Sequence, residues 1–210
     1  MKKTTFLKTA IITAVAFIFS LNSNSQTVEL TAAYGYQFGS KSNFGFSNSI
    51  KINDGDQYSF TIGVDMFKGI MTEVTWIRQS SDITLRYQGE TDRLTDLNMD
   101  WIMIGASKYL TKDKLRPFIG TGVGAAIFNA SNENQDILDR PIDTKWYLAV
   151  SMKAGINYMF NEKWGLNVQG NLMVPIQWGG VYFGGGGPGV TGTSNILIGG
   201  FSGGLVYRLN

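Results

Sequence analysis

The 210-residue chain contains no cysteine and no histidine, and only 4 of its residues are proline. Without cysteine no disulfide can staple the fold, and no thiolate can hold a metal or attack a substrate. A lipid anchor at a processed N-terminus is excluded for the same reason. The lack of histidine removes the usual general acid-base near neutral pH, so neither a Ser/His nor an Asp/His arrangement can be built. A pair of carboxylates is the enzymatic route that remains, and the pattern below supplies no inner acidic pair for it. Catalytic, metal and cofactor residues are therefore expected to be absent. Charge is scarce, at 16% of residues. Beyond the N-terminus no uncharged apolar stretch approaches the roughly 20 residues that a spanning helix needs.

What the N-terminus does contain is an export signal. Lys2, Lys3 and Lys8 form its positive region, residues 10–21 its apolar run, and Ser23, Asn24 and Ser25 a small-residue cleavage site. The expected organisation is a signal peptide over residues 1–25 and one mature domain over residues 26–210. Once the three leader lysines are removed, the 18 basic residues of the chain no longer outnumber its 16 acidic ones. That balance leaves no electrostatic case for nucleic acid.

The mature part alternates between strand-like segments and connections of two lengths. Segments over 28–38, 58–67, 70–79, 97–110, 116–128, 145–160, 164–177 and 197–209 are separated in turn by long polar stretches (39–55, 80–96, 129–144 and 178–194) and by short turns (68–69, 111–114 and 161–163). Backbone groups in lipid cannot bond to water, so strands that cross a membrane must close into a barrel. Small membrane barrels have short turns on the periplasmic side and long loops outside. The expected fold is all-β: an eight-stranded antiparallel up-and-down transmembrane β-barrel in the outer membrane of a Gram-negative-type cell.

Period-2 alternation assigns the faces. Residues 146, 148, 150, 152, 154, 156, 158 and 160 form one apolar row, and the opposite row carries Lys145, Ser151, Lys153 and Asn157. The same rule places Glu29, Asp65, Glu73, Lys153 and Arg208 in the lumen, where they line a small pore or pair with one another and fill the interior. The lipid-side cost of charge, about 2 to 4 kcal/mol for a basic residue at mid-membrane, is the reason for that placement. In segment 116–128 the glycines at 120, 122 and 124 share Arg116's face, read as inward. In segment 97–110 the alternation decides nothing, because Ile102, Ile104 and Ala106 share a parity with Asp100 and Lys108, while Trp101, Met103 and Tyr109 share the other. Aromatics sort by strand end: Tyr36, Phe38, Tyr58, Trp76 and Trp178 toward the loops, Phe67, Tyr109, Phe160, Trp164 and Tyr207 toward the turns. Interfacial girdles look like this. A soluble lipocalin-like barrel would carry the same alternation inside out; the leader, the long-short connections and the low charge argue against it.

Two runs carry a family resemblance. RPFIGTGVGAA over residues 116–126 resembles the P-[FY]-[IV]-G-x-G-x-G strand of small outer-membrane barrels, and GGLVYRL over 203–209 resembles their closing strand. The chain is similar to the OmpA/OmpX-like group and its PorT-like relatives. The resemblance implies the barrel architecture across the mature chain and is weak for activity. The last strand ends in Leu209 and Asn210 rather than in the usual aromatic, and no peptidoglycan-binding domain is expected to follow it.

One loop motif is read as a turn and another as a loop tip. Asn53, Asp54, Gly55 and Asp56 resemble part of a calcium loop but lack the bidentate glutamate; residues 132–136 suit a solvated loop tip. A third stretch is unusual. No charged residue occurs from Trp164 to Tyr207, and within it the loop 178–194 has eight glycines interleaved with Val181, Tyr182, Phe183 and Val190. Either it caps the barrel mouth or it docks another outer-membrane protein, since exposed apolar patches mark contacts. The expected function is a non-enzymatic structural or accessory membrane component in contact with outer-membrane lipid; the alternative is a narrow pore or small-ligand-binding barrel.

Overall fold

The computed structural model describes residues 27–44, 48–67, 69–87, 89–111, 113–135, 137, 142–176 and 197–209; the leader and the loop 178–194 lie outside them. The strands in chain order are β1 (Val28–Gln37), β2 (Ser40–Phe44), β3 (Asn48–Ile52), β4 (Gly55–Phe67), β5 (Ile70–Tyr87), β6 (Glu90–Tyr109), β7 (Leu115–Ser131), β8 (Lys145–Met159), β9 (Trp164–Ile176) and β10 (Ile198–Arg208). Eight of them close a ring. Its order is β1-β4-β5-β6-β7-β8-β9-β10, and β10 returns to β1 through pairs from Glu29↔Arg208 to Gln37↔Gly200. All pairings are antiparallel, as an up-and-down barrel requires.

The alternation read from the sequence is the alternation of the structure. Along β9, Trp164, Leu166, Val168 and Leu172 are exposed on the outer surface, whereas Asn167, Gln169 and Asn171 are buried in the lumen. An apolar outside and a polar inside invert the arrangement of a soluble barrel and suit a lipid surround. Segment 90–109 is settled here too: Trp101 and Met103 are buried inside, and Ile102, Ile104, Ala106 and Lys108 are exposed outside.

The short connections take the positions expected of them. Gly69 closes β4 to β5 with φ 89°, a left-handed conformation that glycine adopts without steric cost. At the β8–β9 turn the Asn161 carboxamide oxygen accepts hydrogen bonds from the backbone N–H of Lys163 and of Trp164, at 2.9 and 2.8 Å, the local side-chain capping that favours asparagine in turns.

Two of the long connections differ from the expectation. Among the described residues of 80–96 there is no irregular loop: β5 and β6 run on as a tall hairpin of 18 and 20 residues, with Gly89 at φ 95° where they meet. Residues 39–55 are also built largely as strand. β2 continues β1, β3 precedes β4, and β3 lies beside the upper part of β5 through Ile52↔Ile83 and Ile50↔Leu85. These segments read as loops because their outward residues are polar; their inward residues, Ile50, Ile52, Ile83, Leu85, Leu94 and Leu97, are apolar and packed. Asn53 and Asp54 are therefore a break within a descending strand rather than a chain reversal. Asp54 accepts from the Gly39 N–H at 2.7 Å, and Asn53 donates to Asp82 at 2.7 Å. The result is a wall of four strands on one side of the barrel mouth.

Candidate functional site

The interior of the barrel is the place where chemistry-bearing side chains converge. In its turn half, Glu29 on β1 is buried, with Arg208 Nε from the neighbouring β10 2.9 Å from its Oε1 and an Arg116 guanidinium nitrogen from β7 3.6 Å from the same atom. In the eight-strand ring, β7 stands diametrically opposite β1, so the Arg116–Glu29 pair crosses the lumen. The Tyr109 hydroxyl donates to Glu29 Oε2 at 2.7 Å and accepts from Asn157 Nδ2 at 2.7 Å; Asn157 in turn accepts from Asn167 Nδ2 at 2.6 Å. One carboxylate thereby organises groups from β1, β6, β7, β8, β9 and β10.

A second crossing lies beside it. Lys153 on β8 pairs with Glu73 on β5, and the Ser107 hydroxyl donates to Glu73 Oε2 at 2.9 Å. The lysine passes over the Phe118 ring, 5.7 Å from its centroid, a favourable cation-aromatic placement. The inward glycine face of β7 makes room for it: a Cβ on Gly120 would stand 2.3 Å from Ser107 Oγ and 3.1 Å from Lys153 Cε. Between the two crossings a cavity of about 10 Å³, lined in part by Thr61, Glu73, Tyr109, Lys153 and Asn157, is space for about one water molecule.

The loop half is different in kind. Ile77, Met99, Trp101, Met103, Met173 and Ile198 are packed together with Phe128 and Tyr147 against them, and the Trp101 ring meets Phe128 edge to face at 5.8 Å. The indole N–H is satisfied by Gln79 Oε1 at 2.8 Å, as a buried tryptophan requires. The amides of Gln37, Gln57, Gln79 and Asn171 are buried as well, Asn171 Nδ2 lying 3.4 Å from Gln57 Oε1.

Of the expected lumen charges, the structure brings together Glu29, Glu73, Lys153 and Arg208. Asp65 is not among them; it keeps the inward parity, opposite Met71, but sits at the turn end with its Oδ1 3.4 Å from the Gly69 N–H. The loop residues Val181, Tyr182, Phe183 and Val190, with Trp178, lie outside the described residues. Tyr109 is a correction to the turn-side girdle: it faces inward and bonds Glu29, because it shares the parity of Trp101 and Met103. Arg116 and Tyr109 are the site residues that the sequence reading missed. Arg116 already lay on the inward glycine face; the missing signal was the ring closure that puts β7 across from β1.

No protein-family model matches the chain, and no curated protein sequence matches it significantly. Solved structures do. The outer membrane protein OprG from Pseudomonas aeruginosa is 13% identical with a TM-score of 0.68, over 89% of this chain and 97% of that one. Neisserial surface protein A is 14% identical with a TM-score of 0.57, over 88% and 99%. The outer membrane protein AlkL, determined in lipid bilayers, is 16% identical with a TM-score of 0.50, over 87% and 90%. At such identities the likeness speaks for architecture: this chain has the fold of the small outer-membrane β-barrels.

Proposed function

We propose that the protein is a non-enzymatic integral outer-membrane β-barrel that acts as a structural or accessory component, and that its uncharged loop 178–194 docks another outer-membrane protein. The observation that carries this reading is the lumen, crossed by the Arg116–Glu29 and Lys153–Glu73 pairs in one half and packed with apolar side chains in the other. An interior engaged in holding the wall together leaves the outside of the barrel and its loops as the working surfaces. The neighbouring solved structures support the outer-membrane placement. The loop's own composition, Tyr182 and Phe183 among glycines with no charge, suits a contact whose energy is concentrated in a few aromatic anchors.

Two measurements test the proposal. In a planar bilayer the purified protein is expected to give no stable single-channel current; reproducible openings altered by Lys153→Glu would replace it with the narrow-pore reading. Replacing residues 181–190 by a Ser/Gly linker is expected to leave the barrel heat-modifiable on gels while abolishing co-purification of neighbouring outer-membrane proteins. Recovery of the same partners in the same amounts would sink the docking role.

A further inference from the structure

The apolar belt around the barrel is not of one height. On β5 and β6 it is short. Lys108, opposite Ile70, bounds it toward the turns, and Arg78, opposite Asp100, bounds it toward the loops, eight residue steps away. Between these rungs the outward residues Val74, Trp76, Ile102 and Ile104 are exposed and apolar. The loop-end boundary is held by contacts of its own: Arg78 is 3.5 Å from Asp100, and the Trp76 indole N–H donates to the same carboxylate at 3.1 Å. Above it the outside of the wall is charged, with Asp82 opposite Asp96 and Arg93 paired with Asp96.

In the ring β9 stands opposite β5 and β10 opposite β6, and there the belt is tall. The outward row of β9 runs from Trp164 to Ile176 and that of β10 from Leu209 to Leu197, twelve residue steps on each strand, without a charged side chain. Arg208 in this stretch points into the lumen, to Glu29. Trp164 and Tyr207, their ring centroids 4.6 Å apart, mark the turn end of the belt as interfacial aromatics do. With about 3.3 Å per residue and a strand inclination of about 40°, the belt is roughly 20 Å high on β5 and β6 and roughly 30 Å high on β9 and β10. A flat bilayer has one thickness. An upright barrel therefore matches it on neither side, the outward band of such barrels being about 25 Å tall.

We propose that the barrel stands tilted in the membrane, in the direction that steepens β5 and β6 and lays β9 and β10 flatter. All strands lean the same way round the ring, so strands on opposite sides lean in opposite senses across it. A tilt of the barrel axis therefore subtracts from the inclination on one side and adds to it on the other. A tilt of about 13° brings the two pairs of strands to about 27° and about 53° from the membrane normal, and both faces of the belt then span roughly 24 Å. Tilting is the ordinary response of a segment too long for its bilayer; here the same motion extends the projection of the side that is too short. The consequence lies outside the lipid. The tall wall continues β5 and β6, so the tilt holds it more nearly perpendicular to the membrane and carries its tip at Gly89 further from the lipid. The inference rests on the outer-membrane placement, not on the docking role of loop 178–194.

The absence of cysteine allows nitroxides to be placed one at a time, through Ile102→Cys, Ile104→Cys and Ala106→Cys on β6 and through Phe201→Cys, Gly203→Cys and Leu205→Cys on β10. The labelled full chains, heat-modifiable on gels, are reconstituted in phosphatidylcholine nanodiscs, and the depth of each label is read from its relative collision rates with oxygen and with a water-soluble nickel chelate. The two triplets cover equal lengths of strand. The expected depth difference is about 12 Å across the β6 triplet and about 8 Å across the β10 triplet, whereas an upright barrel gives about 10 Å for both. Lys108→Leu extends the short belt to Leu110 and is expected to bring the two spans to about 11 Å and about 9 Å. Equal spans in the unaltered belt, a longer span on β10, or spans unmoved by Lys108→Leu would each overturn the proposal, the first leaving a bilayer deformed around an upright barrel. Equal access of the nickel chelate to all six positions would overturn the membrane placement as well.

Discussion

The two halves of the lumen solve the same problem, filling a narrow barrel, with opposite chemistry. The turn half uses charge: Glu29 and Glu73 are buried and partnered by Arg116, Arg208 and Lys153. The loop half uses apolar volume around Trp101, Met99 and Met173. A buried ion pair gains little over a well-packed apolar pair, because desolvation offsets most of its attraction, yet losing one partner is costly. The turn half therefore specifies which strands face one another across the ring, while the loop half contributes burial and anchors the tall wall. A single deletion in either half should hurt for different reasons, and a paired deletion should separate them.

The largest losses are expected from single removals. Glu29→Ala leaves two half-buried arginines around an absent carboxylate and is expected to cost about 3 to 5 kcal/mol, read from the denaturant midpoint of the refolded barrel. Trp101→Ala empties the loop half and is expected to cost a similar amount, about 3 to 5 kcal/mol, accompanied by faster proteolysis within residues 80–96. On the lipid face Val150→Arg is expected to lose about 2 to 4 kcal/mol while the inward Ser151→Ala loses much less; equal losses would show that the strand faces are misassigned. The comparison is sharpest in the double replacement Glu73→Leu with Lys153→Met, expected to be near neutral in the midpoint although either change alone is strongly destabilising. If the double variant loses as much as the worse single one, the ionic half contributes stability rather than specificity. The smallest effect is expected at the exposed Arg93–Asp96 pair on the wall, where Arg93→Ala should cost below about 1 kcal/mol.

Much of this was legible along the chain. Glu29, Glu73, Lys153 and Arg208 were assigned inward by alternation alone, since neighbouring residues of a strand point to opposite faces whatever the rest of the fold does. The glycine face of β7 was read correctly for the same reason, and the structure adds what the space serves, the passage of Lys153 over Phe118 to Glu73. Alternation failed in segment 97–110 because both parities there mix apolar with polar residues. Asp100 and Lys108 belong to the outward face, with Asp100 on the first charged rung above the apolar band and Lys108 toward the turn; reading them required knowing where along the strand the lipid band begins and ends. The tall hairpin was missed by the same limit. Residues 80–96 are polar outward because they rise beyond the lipid, and polarity was read as loop.

The sequence by itself determined the class of fold, the number of strands that close the ring, the face of most side chains and the absence of the side chains on which histidine or cysteine chemistry depends. These follow from composition and from a period of two residues, both of which are local. Only the tertiary structure decided which charges meet. Arg116 reaches Glu29, and Lys153 reaches Glu73, because ring closure and register bring distant strands to one level across the lumen, and no local pattern encodes the partner of a residue on the far side of a barrel.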